Sequence, residues 1–203
     1  MELIVNCDPK SVLDVGVGFG KYGFLSREYL ELWDGRSDYK NWKRQIDGIE
    51  VFSDYLTPVH NYIYDHIYQG NAFDVLPNLE KKYDLILLID VLEHFEQQQG
   101  YEILLECIKH GKNMIISTPK NIGNQKDAFG NVFETHRFQW KKENFEKFDK
   151  KFFLPNKLSL IYFIGDDALI VKSKIKSKLK KGIIKYSPSV FKFLTKIKKG
   201  AFR

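Results

Sequence analysis

The sequence predicts an α/β fold, a mostly parallel sheet covered by helices on both faces. Three observations predict it. Strand-like and helix-like segments alternate along the chain. Residues 84–90 read Asp-Leu-Ile-Leu-Leu-Ile-Asp, the unbroken apolar run of a strand buried on both sides. The first strand-like segment, residues 12–15, runs straight into a glycine turn and then into a helical pattern. With 203 residues, 43% of them hydrophobic and 15% aromatic, the chain can bury one good core and leaves no room for a second full domain.

The elements follow in order. After the first strand a helix over residues 21–33 puts Leu25, Tyr29 and Leu32 on one face. Residues 34–44 are polar, and strand character returns at 46–51. Ser53 is placed to cap a helix reaching residue 62, and 67–69 form a short strand before the central strand at 84–90. A helix over 96–110 carries Tyr101, Leu104, Leu105 and Ile108 at helical spacing and stops at Gly111; residues 114–117 form the next strand. Residues 158–164 and 168–172 flank Gly165-Asp166-Asp167, which predicts a β-hairpin closing the sheet edge.

Charge divides the chain. Of 32 basic and 26 acidic residues, 12 basic and no acidic ones fall in residues 172–203, so residues 1–171 carry a net charge of −6 and the tail +12. The division predicts a domain over 1–171 and a basic amphipathic tail over 172–203. Cys7 and Cys107 are far apart and lack metal spacing, as reduced structural thiols do. No apolar run reaches a membrane span of about eighteen residues, and the N-terminus lacks a signal peptide's basic start and apolar core, so the expectation is a cytoplasmic protein.

The richest motif is Val12-Leu13-Asp14-Val15-Gly16-Val17-Gly18-Phe19-Gly20. Glycine takes positive φ and lets backbone N–H groups approach a ligand. Gly18, Gly20 and Gly23 also satisfy the dinucleotide pattern G-x-G-x-x-G, whose helix N-terminus takes a pyrophosphate. Asp14 separates the two readings, because a carboxylate two residues before the first glycine does not help bind phosphate but suits the ammonium of S-adenosylmethionine.

Three further motifs follow in sequence: Glu50 at the end of the second strand, Gly70-Asn71-Ala72 after the third, and Asp90-Val91-Leu92-Glu93-His94 after the central one. With the glycine loop, they make residues 10–172 similar to a class I S-adenosylmethionine-dependent methyltransferase. The resemblance implies a single Rossmann-like domain with seven strands in the order 3-2-1-4-5-7-6, the last antiparallel. It implies that Asp14, Gly16, Gly18 and Gly20 surround the methionine part of the cofactor and that Glu50 receives the ribose hydroxyls. A carboxylate suits that task because its two oxygens can accept from vicinal hydroxyls at once. Asn71 stands where the family more often has Asp, and its amide oxygen can accept from the adenine amino group. Val51, Phe52 and Ala72 are placed to sandwich the adenine, whereas Phe73 reads as core. Asp90 would lie near the sulfonium.

For chemistry, the resemblance points to Asp90, Glu93 and His94. Methyl transfer to a hydroxyl needs alignment and a base, and an imidazole with its ordinary pKa of about 6.5 suits the base; the same residue can equally be a hydrogen-bonded start of the following helix. No metal is required. A second resemblance brings one in: Asp90, Glu93 and His94 together with His136, in the run Glu134-Thr135-His136-Arg137-Phe138-Gln139-Trp140, are similar to the metal-binding residues of small-RNA 2′-O-methyltransferases.

The acceptor is less legible. The first strand begins within about a dozen residues of Met1, so cover for the cavity must come from 34–44, from 121–135 or from a partner, and the site suits a large acceptor such as a glycan, a lipid-linked saccharide or RNA. In the tail, Ile175, Leu179 and Ile183, then Val190, Phe191, Leu194 and Ile197, repeat at helical spacing among lysines. Such helices lie on anionic membranes; RNA is the rival partner, although Tyr186, Phe191, Phe193 and Phe202 are the tail's only aromatics, and a disordered tail is the third alternative. The reading is thus a methyltransferase acting on an oxygen of a saccharide or other metabolite, with a metal-dependent RNA enzyme and a non-catalytic cofactor-binding scaffold as alternatives.

Overall fold

The computed structural model describes residues 1–32 and 41–186, with side chains described through residue 178. The connection at 34–40, the apolar positions Val190, Phe191, Leu194 and Ile197, and the side chains of Leu179, Ile183 and Tyr186 lie outside the described residues, as do Phe193 and Phe202.

Helix α1 (Glu2–Cys7) precedes β1 (Ser11–Val15), α2 (Lys21–Leu30), β2 (Gln45–Glu50), α3 (His60–Ile63), β3 (His66–Gln69) and α4 (Ala72–Val75). The second half continues with β4 (Tyr83–Ile89), α5 (Gln97–His110), β5 (Gly111–Pro119), β6 (Lys151–Leu154), β7 (Ser159–Gly165) and α6 (Ala168–Tyr186). The seven strands form one sheet in the order β3-β2-β1-β4-β5-β7-β6. β7 runs antiparallel to β5 and β6, and the remaining neighbours pair in parallel.

The two-residue period of a strand divides the core. Along β4, Leu85 and Leu87 point to one face and pack with Leu3, Ile46, Phe163 and Val171. Ile86 and Leu88 point to the other, among Leu13, Leu104, Trp140 and Phe145. All four are fully buried, as a central strand covered on both sides requires. The strand order reverses direction between β1 and β4, and their carboxyl ends diverge there into the crevice where open α/β sheets bind ligands.

Several expectations are corrected. The edge hairpin is made by β6 and β7; residues 168–172 instead open α6. Asn113 explains the change, because its side-chain oxygen accepts from the Asp167 N–H at 2.9 Å and its amide donates to the Asp167 carboxylate at 2.8 Å, fixing the corner from which a helix starts. No continuous helix spans 53–62: Ser53–Tyr55 is one 3₁₀ turn, and α3 begins only after Pro58. α2 buries Gly23, Ser26, Arg27 and Leu30, while Tyr29 is exposed. Arg27 can lie inside because its guanidinium is satisfied by the Ile63 carbonyl, Glu31 and Asp65. α5 buries Gly100, Ile103, Leu104 and Cys107 and leaves Leu105 and Ile108 exposed. Ile175 belongs to the core, so the boundary at residue 172 falls inside a helix already packed on the domain.

Candidate active site

The glycine turn takes the conformations its composition suggests, with φ of +74° at Gly16, +53° at Gly18 and +84° at Gly20. At Gly16 the need is steric as well, since a Cβ would stand 2.7 Å from a methyl of Val91. The turn is fastened to β2, where Gly16 and Val17 both donate to the Ile49 carbonyl. Gly18 is held at both ends of its residue. Its N–H donates to Glu50 Oε2 at 2.7 Å, and its carbonyl accepts from His60 Nε2 at 3.0 Å. The Thr57 N–H donates to His60 Nδ1, which leaves the ring proton on Nε2 and facing Gly18. Glu50 Oε1 accepts from Phe52 N–H, so the carboxylate is oriented before any ligand arrives.

A cavity of about 460 Å³ opens over these strand ends, in the size range of small-molecule sites. Gly16, Gly18, Glu50, Val51, Asn71 and Ala72 line it, as do Asp90 and His94. Asp14, Gly20 and Glu93 do not. Asp14 is buried behind the turn, where Tyr64 donates to it at 2.7 Å; the same hydroxyl accepts from Gly23 N–H, and Gly23 has no side chain because a Cβ would meet the Tyr64 ring. Burial pushes the Asp14 carboxyl up to about 7 against the opposing pull of Tyr64. Gly20 begins α2 and presses on His60 and Ile63. Asn71 lines the cavity while its Oδ1 caps α4 by accepting from Phe73 N–H, so one lone pair of that oxygen remains for a ligand. Phe52 packs edge-on against Tyr55, and Phe73 packs against the core.

Asp90 follows β4 with φ of +56°, a conformation costly for a residue other than glycine, and its carboxylate accepts from Ser117 Oγ. Burial raises its pKa from the ordinary value, against the opposing pull of the Ser117 hydrogen bond. The next turn, Leu92–His94, is clamped by the segment that carries His136. Arg137 N–H donates to the Glu93 carbonyl at 2.7 Å, and the buried Trp140 ring donates to the Leu92 carbonyl at 2.9 Å. Those two bonds explain why residues distant in sequence meet, with the His94 and His136 rings 5.1 Å apart.

Candidate ligand atoms of Glu93, His94 and His136 all lie within 4.8 Å of one another; Asp90 is not part of this group. The Nδ1 atoms of His94 and His136 face the carbonyls of Thr135 and Ile122, which leaves both Nε2 lone pairs free to ligate. Glu93 is 0% exposed, neither carboxylate oxygen has a hydrogen-bond partner among the described residues, and burial pushes its pKa up to about 8. Burial lowers the pKa of His94, keeping it neutral at pH 7.

Of the sources of cover expected from the sequence, the segment 121–135 supplies residues to the cavity. Asn131, Phe133 and Glu134 line the cavity from above, and Tyr55 joins them by donating to Glu134 Oε1 at 3.0 Å. Glu134 Oε2 lies 4.0 Å from His94 Nε2. These residues come from connections without periodicity, so nothing in the sequence aims them inward.

No family model and no curated protein matches the chain. Solved structures do. An O-methyltransferase family protein from Burkholderia thailandensis is similar over 80% of this chain and 52% of its own length, with 11% identity and a TM-score of 0.58. The methyltransferase domain of bacterial CtHen1 matches over 80% of this chain and 93% of its own, with 18% identity and a TM-score of 0.52. The N-terminal domain of EvdMO1, solved with SAH bound, matches over 77% of this chain and 74% of its own, with 10% identity and a TM-score of 0.54. The chain therefore spans about half of the Burkholderia protein and most of the two single domains. With its strand order, its glycine turn and these likenesses together, the chain has the fold of the class I S-adenosylmethionine-dependent methyltransferases.

Proposed function

We propose that the chain binds S-adenosylmethionine in the β1–β4 crevice and transfers its methyl group to an oxygen of a saccharide or other hydroxyl-bearing metabolite. The observation that carries this reading is the convergence on one cavity of Gly16 and Gly18, Glu50, Asn71 and Asp90, residues at or just beyond the ends of four different strands. The residues fit the cofactor. Glu50 is already oriented by two backbone N–H groups and keeps lone pairs for a ribose diol, and the bare backbone at Gly16 and Gly18 leaves room for the methionine portion. The SAH in the similar EvdMO1 domain is the demethylated form of that cofactor. When bound, the cofactor supplies an electrophilic methyl on sulfur. The chain's own part is to align the acceptor beside Asp90 and to take its proton at His94, whose burial favours the neutral imidazole that can accept it.

One observation favours a second reading. Glu93 is a buried carboxyl within 4.8 Å of candidate ligand atoms of His94 and His136, and a divalent cation would displace its proton and balance the charge that results. Glu93, His94 and His136 would hold the ion, which lowers the pKa of a bound hydroxyl. The acceptor is then the terminal ribose of an RNA, as the sequence likeness to small-RNA 2′-O-methyltransferases suggests.

Transfer of labelled methyl from S-adenosylmethionine to saccharide and RNA acceptors, before and after chelation, separates the readings. Turnover on a saccharide that survives chelation supports the first. Turnover on RNA that chelation abolishes and manganese restores supports the second. Cofactor binding with no turnover on any acceptor would leave the chain a scaffold for a partner enzyme.

A further inference from the structure

We infer that the outer face of α6 docks on an anionic lipid bilayer. The inner face of the helix is spent on the fold: Ala168, Val171 and Ile175 are buried against β6, β7 and α1. The outer face begins with two adjacent apolar side chains that nothing covers, Leu169 at 80% and Ile170 at 56% exposure. Ser173, Lys174, Lys176, Ser177 and Lys178 continue it, all exposed. From residue 172 to the end of the sequence there are 12 basic residues and no acidic one, while residues 1–171 carry −6. The two acids just before the helix are neutralised, Asp166 by Lys150 and Asp167 by Lys112.

An apolar pair leading a run of lysines is the composition that a bilayer with acidic headgroups takes up, the side chains entering the acyl boundary and the ammonium groups remaining among the phosphates. RNA would account for the lysines but not for Leu169 and Ile170 held in water. The acidic remainder of the domain is repelled by the same surface, so docking has one orientation. Its direction follows from the sheet. Gly165, where β7 ends, pairs with Asn113 near the start of β5, whereas Pro119 at the other end of β5 lies toward the cavity. Lys174 Nζ also donates to the Asn6 carbonyl in α1, ahead of β1. The first turns of α6 therefore lie at the sheet edge opposite the cavity, which stays open to water when the helix is docked. A soluble acceptor suits that arrangement better than a lipid-linked one.

Flotation of the full chain with vesicles of phosphatidylcholine alone, or of phosphatidylcholine mixed with phosphatidylglycerol, tests this without reference to methyl transfer. The wild type is expected to float only with the mixed vesicles and to be released by high salt. The double substitution Leu169→Gln/Ile170→Gln should lower the bound fraction about tenfold at unchanged Tm, because both side chains are already in water. Lys176→Glu/Lys178→Glu, which leaves the apolar pair intact, should lower it at least about tenfold. Absence of flotation by the wild type, equal binding to the uncharged vesicles, or full binding by either double variant would overturn the inference. A shift of single-stranded RNA by a chain that does not float would assign the lysines to nucleic acid instead.

Discussion

At Gly18 two side chains hold the peptide units on either side of one residue, Glu50 at its N–H and His60 at its carbonyl. His60 does not line the cavity and acts through the turn. Replacing it by leucine removes the bonds to Gly18 and to Thr57 and should weaken SAH binding about fivefold, as loss of one ordinary hydrogen bond would, measured by titration calorimetry beside a Tm that shows the variant folded. Asp14 carries a pH signature. Its carboxyl is held at about 7 in the folded chain and returns to about 4 when unfolded, so between those values the unfolded chain has lost a proton that the native chain keeps. Stability from this group falls as pH rises through that window. The variant Asp14→Asn escapes the loss, and its Tm relative to the wild type should climb between about pH 4 and about pH 7 and then level off, as scanning calorimetry across that range would show. The glycines were legible in the sequence because positive φ favours that residue type, and Glu50 through its place at the end of the second strand in the order of motifs the resemblance rests on. Asp14 was legible as an acid but not as a buried one, since its partner Tyr64 is fifty positions away.

Elements differ in how far pattern alone places them. β4 and β5 are apolar enough to declare themselves, whereas the burial of α2 depends on Arg27, which a hydrophobic pattern assigns to solvent. The guanidinium meets the buried Glu31 at 3.2 Å and Asp65 at 2.9 Å, joining α2 to the residues that lead into β3. Arg27→Met keeps the packing but removes the cation beside buried Glu31, which retains the backbone N–H groups of Lys43 and Arg44, and should cost about 3 kcal/mol in urea denaturation; a loss below about 1 kcal/mol would mean the network contributes no more than a surface pair. The misread hairpin has the same cause. Gly-Asp-Asp is a turn signal on its own, and only the distant Asn113 makes it the start of a helix. Likewise His94 and His136 were named from the sequence, but their meeting depends on Arg137 and Trp140 bonding to the turn between them.

For the whole molecule, the alternation of strands and helices was enough to give the fold class, and the strand order β3-β2-β1-β4-β5-β7-β6 is the one implied by the family resemblance that the motifs carry. That order places the ends of β1, β2 and β4 around one cavity, so the account of function stands or falls with what that cavity holds. Titration calorimetry of the full chain with SAH tests it most directly. Saturable one-to-one binding is expected, weakened at least about tenfold in Glu50→Ala, because the proposed acceptor of the ribose diol is lost together with its bonds to Gly18 and Phe52. No heat with SAH, together with saturable binding of a nicotinamide dinucleotide that the same substitution leaves unchanged, would contradict it.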